Sequence, residues 1–318
     1  MVTIKDIAQA TGVSAMTVSR YFNEPEKLKP ATYEKIKVAV DQMGYQPNIV
    51  ARLLAKRKTN IICVYIAGDI DPLHPFTLQA ITGIGENLGK NGYSMLLSRD
   101  GYEKQNCDGI IAMGLNLEQE KELMEMSEKR AIIIFGNNSH KSNWVDINNY
   151  IGSYKATEYM IERGYKTIGN IGIDNDKSYS RDRYQGYVDC MRDHKMTIPP
   201  KGTVMVPNHE DDGYKAAKQI FEKTKVDGLV CASDALALGV IRFGNEKNLD
   251  IPNELGVIGF DGLGYEKLVS PNITTMQQPV YQAGKLLADR MVEVLELGEY
   301  VGTEIFIDPI LQVNGTTK

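Results

Sequence analysis

The stretch TIKDIAQATGVSAMTVSRYFN, residues 3–23, contains the start and stop signals of short helices. Thr3, followed three residues later by the acid Asp6, has the pattern of a capping box, which predicts a helix over about Ile4–Thr11. Gly12 comes next, where a left-handed residue commonly ends a helix. The N-terminus is therefore predicted to begin with one short, well-delimited helix.

A second and a third helix are predicted to follow closely. Ser14 can cap a helix over about Ala15–Phe22, with Val18 on its inner side. Two short helices joined by a Gly-containing turn are typical of a helix-turn-helix. The third helix is predicted to begin near Pro30, which suits a first helical position, and to end at Gly44.

The outward side of the second helix carries small and polar residues. Ala15 and Met16 can contact thymine methyl groups, and Arg20 can bridge guanine O6 and N7 in a major groove. The short donors suited to phosphate oxygens are Ser14, Thr17, Ser19 and Asn23. The alternative is a three-helix packing module without a DNA role, but such a module gains nothing from a hydroxyl-rich outer surface.

Charge is distributed unevenly along the chain. Residues 1–60 contain ten Lys and Arg against five Asp and Glu, a balance of +5, whereas the whole chain carries −5. The remainder therefore carries −10. A basic segment attached to an acidic body is typical of nucleic-acid binding confined to one end. The alternative is a small, solvent-exposed domain that is basic but does not bind nucleic acid, which would give the same net charge.

Length and composition limit the other possibilities. The 318 residues favour two or three domains. We find no run of about 18 apolar residues that would span a membrane, and the N-terminus lacks the pattern of a secretory signal. The four cysteines and four histidines are scattered without metal-ligand spacing. We therefore expect a cytoplasmic protein with reduced thiols and no cofactor.

From residue 61 onward, short apolar runs alternate with amphipathic segments. The predicted strands are residues 61–67, 93–97, 108–114, 131–136, 167–172, 227–233 and 255–262. The helices between them include residues 76–92, 150–164 and 213–224. This alternation is typical of parallel, doubly wound α/β sheets, and the number of strands requires two of them.

Two stretches together resemble the N-terminus of the lactose/galactose/purine repressor (LacI/GalR) family. They are residues 3–23, quoted above, and GYQPNIVARLLAKRKTN, residues 44–60, and both match the family pattern at nearly every defining position. The body resembles the family's periplasmic-binding-protein-like core, in which the chain crosses three times between two Rossmann-like lobes. The resemblance implies a helix-turn-helix at 1–46, a hinge helix at 47–59, a first lobe of 60–147 and 280–306, and a second lobe of 148–279 and 307–318.

The segment 47–59 has a physical interpretation of its own. A helix this short is unstable alone in water, so its folding can be coupled to DNA binding. In the family, this hinge helix lies in the minor groove, where a leucine opens the central base step; that leucine is Leu54 here. The further DNA contacts that the resemblance implies are Asn48, Ala51 and Arg52, with Thr3 and Tyr45. A plain basic linker is the alternative.

The resemblance also places a small-ligand site between the lobes, at the carboxyl ends of parallel strands. Arg183 offers planar donors suited to vicinal hydroxyls or a carboxylate, and Asp261 is a bidentate acceptor at a strand end. These two are the implied effector clamps. The other implied lining residues, for which surface or core packing is the alternative, are Phe76, Tyr179, Asn208, Ser233 and Gln278. Asn208 replaces an aromatic of several relatives, which predicts a more polar pocket.

Two departures from the family pattern concern local structure. Lys29 stands where the family usually caps the third helix with Ser, which predicts a weaker cap. Only nine residues, 98–106, follow the strand at 93–97 before the next strand begins. A full crossover helix needs more residues, so one helix of the first lobe is expected to be missing or reduced.

The resemblance implies a sequence-specific DNA-binding transcriptional regulator, most often a repressor, controlled by a sugar or sugar derivative. No heptad repeat ends the sequence, so we expect a homodimer that reads a pseudo-palindromic double-stranded operator. The alternatives within the family are a protein partner and a purine-type corepressor. A transport protein would fit the body but not the N-terminal segment. We find neither a phosphate loop nor a catalytic constellation in this sequence, which argues against an enzyme.

Overall fold

The computed structural model describes residues 2–45, 58–68, 70–99, 101, 105–126, 130–137, 143–298 and 304–318. The chain divides into two units, Met1–Thr59 and Asn60–Lys318, which we call the head and the body. The predicted hinge contacts Asn48, Ala51, Arg52 and Leu54 lie outside the described residues. Their roles stay predictions.

The head is a three-helix unit. Its helices are α1 (Ile4–Thr11), α2 (Ala15–Asn23) and α3 (Pro30–Met43), with a 3-10 turn at Pro25–Lys27. Ile7, Val18 and Ile36, one from each helix, are fully buried against one another. Because each helix contributes one apolar side to this small core, α2 keeps its other side free for a partner.

Capping explains where the head helices begin. Thr3 and Asp6 form the predicted capping box at α1. The Ser14 hydroxyl accepts a hydrogen bond of 3.1 Å from the Thr17 backbone N–H at the start of α2. Lys29 precedes α3 without any side-chain cap, as its departure from the family pattern predicts.

The body contains twelve strands and seven helices among its described residues. The strands are β1 (Ile61–Ile66), β2 (Ser94–Ser98), β3 (Gly109–Met113), β4 (Ala131–Phe135), β5 (Asn143–Ile147), β6 (Ile168–Ile173), β7 (Thr203–Val206), β8 (Gly228–Cys231), β9 (Gly256–Asp261), β10 (Thr274–Gln277), β11 (Glu304–Ile307) and β12 (Ile310–Gln312). The helices are α4 (Pro75–Lys90), α5 (Leu117–Glu125), α6 (Asn149–Glu162), α7 (Ser178–Asp193), α8 (Glu210–Phe221), α9 (Asp234–Glu246) and α10 (Val280–Leu297). In the part of the chain that the structure describes, we find no helix with both the length and the apolar character needed to cross a membrane.

The strands form two six-stranded sheets. The first has the order β11-β5-β4-β3-β1-β2 and is parallel throughout. The second has the order β12-β10-β9-β8-β6-β7, in which β12 alone runs antiparallel to its neighbour. The chain passes between the sheets after β5, after β10 and after β11. The two doubly wound lobes predicted from the sequence are thus present.

Helices cover the faces of the two sheets unequally. In the second sheet, α6 and α7 pack on one face, and α8 and α9 on the other. In the first sheet, α4 and α10 cover one face, while α5 is the helix that packs on the other within the described residues. Residues 99, 101 and 105–108, between β2 and β3, are not helical. Arg99 anchors this connection by donating hydrogen bonds of 2.8 Å to the carbonyl oxygens of Gly68 and Ile70.

Helices α8 and α9 cross at very short range. Gly239 of α9 faces the backbone of α8 so closely that a Cβ atom would overlap the carbonyl oxygen of Glu210. Gly89 of α4 is exposed and has open space at the same atom. A Cβ atom would therefore meet a neighbouring backbone at Gly239 and open space at Gly89.

We expect Gly239→Ala to destabilise the body by about 1–3 kcal/mol, because the helices must separate to admit the methyl group. Gly89→Ala is the matched control and should be neutral or stabilise by up to about 1 kcal/mol through helix propensity. Urea unfolding of both variants measures the difference. Equal stabilities for the two variants would contradict the close crossing.

A buried carboxyl connects the start of α9 to the end of β9. Asp234 is 1% exposed, and its Oδ2 accepts a hydrogen bond of 2.8 Å from the Gly262 backbone N–H. Burial, with the nearby charge of Asp261 adding to it, raises the pKa of Asp234 to about 8. The folded body therefore holds a proton there that the unfolded chain releases at a much lower pH.

The free energy of unfolding should fall as pH rises from about 4 to about 8, with a limiting slope of about 1.4 kcal/mol per pH unit for this one group. Asp234→Asn keeps a carbonyl oxygen for Gly262 and removes the titration. The variant should lose part of the pH slope and gain stability relative to wild type at the upper end of the range. Urea unfolding at several pH values, followed by circular dichroism, tests this; parallel pH profiles would contradict it.

Candidate nucleic-acid interface and ligand cavity

The exposed side of α2 carries the residues predicted to choose bases. Met16 is 71% exposed, which is unusual for a large apolar side chain, and Ala15 and Arg20 are also exposed. Met16 and Arg20 lie four residues apart and so share one side of the helix. The Arg20 guanidinium is 3.8 Å from Glu24, and such an exposed ion pair is easily exchanged for another anion. This surface combines an exposed apolar side chain with an exposed guanidinium.

The short polar residues of α2 are already ordered by local hydrogen bonds. The hydroxyl groups of Ser14 and Thr17 are 2.8 Å apart, and the Asn23 amide donates to the Ser19 carbonyl oxygen at 2.9 Å. Such bonds fix side-chain directions before a phosphate arrives. The four predicted phosphate contacts lie on α2 or at its N-cap; they are Ser14, Thr17, Ser19 and Asn23.

Two other predicted DNA contacts have packing or capping roles in the head. The Thr3 hydroxyl donates to Asp6 within the capping box. Tyr45 is buried, and its ring centroid lies 5.5 Å from that of Phe22. Because Tyr45 closes the three-helix core, little of its side chain is exposed. Its ring therefore has a packing role, which the sequence pattern did not reveal.

The body contains a cavity of about 620 Å³ between the two sheets. Its walls come from the carboxyl ends of strands in both sheets, with residues such as Phe135 at the end of β4 and Asp261 at the end of β9. In doubly wound folds this edge is where ligands bind. A volume of this size is typical of a small-molecule site.

Arg183 of α7 is the central polar group of the cavity. Its Nε donates to Asn149 Oδ1 at 2.9 Å, and its Nη1 donates to the Ala232 carbonyl oxygen at 2.6 Å. The guanidinium also lies 3.8 Å from the ring centroid of Phe260. Nη2 makes no hydrogen bond to any residue that the structure describes.

Asp261 faces Arg183, as predicted. Its Oδ1 lies 3.5 Å from Arg183 Nη1 and accepts a hydrogen bond of 2.7 Å from the Gln278 amide. Burial raises the pKa of Asp261, while the charges of Arg183 and His74 oppose the rise. Its backbone φ of 133° is strained for a residue with a side chain. The fold thus fixes the direction of this carboxylate at the cavity wall.

The other predicted lining residues are placed as follows. Phe76, Tyr179, Asn208 and Gln278 all line the cavity. Ser233 does not line it: this residue is fully buried, caps α9 through the Leu236 N–H, and donates its hydroxyl hydrogen to Asn208 Oδ1. The expectation of direct ligand contact at Ser233 is therefore corrected. Ser233 instead orients Asn208, a residue that does line the cavity.

The sequence interpretation missed the contribution of β5. Trp144 and Asp146, on alternate residues of this strand, line the cavity, and Phe306 of β11 packs against Trp144 with ring centroids 4.8 Å apart. The Trp144 Nε1 is buried and has no hydrogen-bond partner among the described residues. Burial raises the pKa of Asp146 to about 7, although backbone N–H groups of Asn137 and Ile147 hydrogen-bond its oxygens. The sequence signal for this part of the site was the spacing of Trp144 and Asp146, an aromatic and an acid two residues apart in a short strand-like segment.

Two hydrogen bonds cross from one lobe to the other near the cavity. Lys177 Nζ donates to the Gly114 carbonyl oxygen at 3.0 Å. The Asn137 amide donates to Asp182 Oδ2 at 2.9 Å. Lys177 and Asn137 themselves line the cavity. A ligand that displaces or strengthens these bonds would change how the lobes are held.

No group of three or more His, Cys, Asp and Glu side chains in the described ranges is arranged to hold a metal ion.

Family models match both parts of the chain. Residues 3–48 match the family model described as bacterial regulatory proteins, lacI family. Residues 157–317 match the model of a periplasmic binding protein-like domain.

Relatives extend the match over the whole chain. An uncharacterized HTH-type transcriptional regulator, YvdE from Bacillus subtilis (strain 168), is 30% identical over 319 residues, covering 100% of both chains. The HTH-type transcriptional repressor PurR from Vibrio atlanticus (strain LGP32) is 32% identical, covering 100% of this chain and 99% of the relative.

Solved structures share the fold. A lac repressor dimer bound to operator and the anti-inducer ONPF superimposes with a TM-score of 0.79 at 22% identity, covering 99% of each chain. A complex of the transcriptional regulator CelR with cellobiose gives a TM-score of 0.74 at 24% identity, covering 99% of this chain and 100% of the other. With a helix-turn-helix head, a two-lobed body and full-length relatives named as transcriptional regulators, the chain belongs to the LacI family of bacterial DNA-binding transcriptional regulators.

Proposed function

We propose that this regulator is controlled by a neutral, hydroxyl-rich small molecule, a sugar or sugar derivative, bound in the cavity of the body. The observation that carries the proposal is the contact of the Asp261 carboxylate with both Arg183 and Gln278 at the cavity wall. A sugar hydroxyl can accept from Nη2 of Arg183 and donate to the Asp261 carboxylate. Vicinal hydroxyls match such a donor and acceptor side by side.

Charge around the cavity favours a neutral ligand over a phosphate or carboxylate. The acids that line it are Asp71, Glu120, Asp146, Asp176 and Asp261, and the Lys and Arg side chains are Lys177, Arg181 and Arg183. Two of these cations already have partners, since Lys177 donates to Gly114 and Arg181 to the Asp176 carbonyl oxygen. An anionic ligand would meet more acids than available cations.

Aromatic rings supply the apolar contacts that a sugar ring requires. Trp144 and Phe306 form one pair, and Phe76 and Phe135 form another with centroids 5.1 Å apart. A purine base would also stack on such rings. Because a full-length relative is named PurR, a purine corepressor is the second candidate.

Control would operate through the relative position of the lobes. The ligand would contact Arg183 of the second lobe and Phe76 of the first, and it would lie beside the bonds Lys177–Gly114 and Asn137–Asp182. A ligand with different affinities for two lobe arrangements shifts their populations, typically by about 1–3 kcal/mol. We propose that this shift changes operator affinity.

The DNA-binding unit is proposed to be a homodimer that reads a pseudo-palindromic operator. The solved relative described as a lac repressor dimer bound to operator supports this arrangement. In each head, Met16 and Arg20 of α2 would contact base edges, and the hydroxyl residues of α2 would contact phosphates.

Trp144 is the only tryptophan in the chain and lines the cavity, so its fluorescence should report ligand binding directly. We expect a neutral mono- or disaccharide to change its emission and to raise the melting temperature. At 100 times its Kd, a ligand adds about 2.7 kcal/mol to the stability. The screen compares neutral sugars, sugar phosphates, nucleosides and purine bases. A response confined to purines would support the second candidate, a response confined to sugar phosphates would refute the charge argument, and no response would favour a protein partner.

Asp261→Asn should lower the affinity for the ligand found in the screen by about tenfold to a hundredfold, because a charge-assisted hydrogen bond is worth roughly 1.5–3 kcal/mol. Asp193→Asn, an exposed carboxylate of α7 outside the cavity lining, removes the same charge and should leave affinity unchanged. Fluorescence titration of both variants makes the comparison. Equal affinities would remove Asp261 from the site.

Arg20→Ala should reduce discrimination at one base position of each half-site by about 1–3 kcal/mol. Lys37→Ala removes the same charge from an exposed position of α3 and should leave base preference intact. Selection of binding sites from a random DNA library, performed with both variants and wild type, gives the preferences. An unchanged preference in Arg20→Ala would assign base reading to other residues.

A further inference from the structure

The ligand cavity has lining residues from both faces of the first sheet. Phe135 of β4, whose ring packs with that of Phe76 of α4, lines it from one face. Ile134 and Trp144 belong to the apolar cluster with α5 on the opposite face, and they also line the cavity. Since successive residues of a strand point to opposite faces, the cavity extends around the carboxyl end of β4. It therefore has a second compartment on the α5 side, which we call the arm.

The strand register defines the sheet wall of the arm. Ile134 is paired with Trp144 between β4 and β5, and Asp146 is paired with Phe306 between β5 and β11. Trp144 and Asp146 are two residues apart on β5 and so point to the same face. The arm is thus defined by Ile134, Trp144, Asp146 and Phe306 of the sheet and by Leu117 and Glu120 near the start of α5.

Trp144 brings a buried donor to the arm. The residue is only 5% exposed, although it lines the cavity. Its indole Nε1 makes no hydrogen bond to any of the residues that the structure describes. An indole N–H can only donate, and a buried donor without an acceptor is unfavourable. A ligand that places an oxygen atom in the arm would supply the acceptor.

The arm also has apolar surface that the body leaves exposed. Phe306 is 47% exposed, and its ring centroid lies 4.8 Å from that of Trp144. Leu117 is exposed as well. Exposed apolar side chains beside a cavity are typical of ligand-binding grooves. Together with the Trp144 N–H, they suit a ring that is apolar on its faces and carries hydroxyl groups at its edge.

Hydrogen bonds connect the arm to the Arg183 site. The Asn137 backbone N–H donates to Asp146 Oδ2 at 3.0 Å, and the Asn137 side-chain amide donates to Asp182 Oδ2 at 2.9 Å. Asp182 directly precedes Arg183 on α7. Asp146 is therefore the link between Trp144, two residues earlier on β5, and the Arg183 site. Two residues of an extended strand span roughly 7 Å, which is close to the spacing of the two ring centres in a disaccharide.

We propose, on the basis that the proposed sugar ligand is correct, that the effector is a two-ring carbohydrate with one ring at Arg183 and Asp261 and the other in the arm. The second ring lays an apolar face against Phe306, and one of its oxygens accepts the Trp144 N–H. The cavity of about 620 Å³ has the size typical of larger small-molecule ligands. A monosaccharide held at Arg183 leaves the arm empty and the Trp144 donor without an acceptor.

The test is isothermal titration calorimetry of the full-length protein with matched carbohydrates. The panel contains neutral disaccharides, including maltose, cellobiose, lactose and trehalose, each beside its constituent glucose or galactose. We expect at least one disaccharide to bind at least about ten times more tightly than its constituent monosaccharides. A monosaccharide that binds as tightly as the disaccharides containing it would overturn the two-ring proposal and leave the proposed sugar ligand standing. Absence of binding throughout the panel would overturn both.

Variants test the role of the arm, and calorimetry allows replacement of the fluorescent Trp144. Trp144→Phe keeps an aromatic ring but removes the N–H, so the ratio of disaccharide to monosaccharide affinity should fall about threefold to tenfold. Phe306→Ala should lower the same ratio at least severalfold. Tyr265→Ala is the matched control, because Tyr265 is 42% exposed and lies outside the cavity lining. It should leave the ratio unchanged.

The affinity ratio separates ligand contact from a structural role. General damage to the cavity lowers the affinities for both classes of sugar together and leaves their ratio at the wild-type value. A wild-type ratio in both Trp144→Phe and Phe306→Ala would therefore overturn the assignment of the second ring to the arm.

Discussion

The body is organised around one desolvated guanidinium. Burying an arginine is costly unless its donors are satisfied and its charge is balanced. Arg183 meets this requirement with the Asn149 side chain at the start of α6, the Ala232 carbonyl oxygen after β8, and the Asp261 carboxylate at the end of β9. These groups belong to segments that are distant in sequence. Satisfying one buried charge therefore brings the strand ends together and creates the polar wall of the cavity.

The sequence predicted most accurately those features that depend on neighbours along the chain. The capping residues Thr3 and Ser14 delimit α1 and α2 almost as expected, because a cap is a contact over three residues. The strands from β1 to β4 were visible as apolar runs. By contrast, β5 (NWVDI) was missed, since its polar residues serve a cavity that exists only after both sheets form.

Roles that depend on tertiary neighbours were predicted less well. The family resemblance selected Ser233 as a lining residue, but the pattern contains no sign that its hydroxyl is used to cap α9 and to hold Asn208. Tyr45 likewise matches the family pattern while its ring completes the core of the head. For both residues, the amino-acid type matched the family pattern. Their burial, which decides which role each side chain has, could not be predicted from one sequence. The charge pattern was more direct: an acidic body repels a polyanion, which predicts that contact with DNA is concentrated in the basic head.

The three passages of the chain between the sheets also set an order of assembly. The first sheet contains β1 to β5, yet it is completed by β11, and α10 covers one of its faces. These elements are supplied by residues 280–307, close to the end of the chain. During synthesis, which adds roughly 5–20 residues per second, neither sheet is complete until the end of the chain is made, since β11 completes the first sheet and β12 the second. The head, whose core involves residues 2–45 alone, has every contact it needs far earlier. A nascent chain thus completes its helix-turn-helix before the cavity of the body exists.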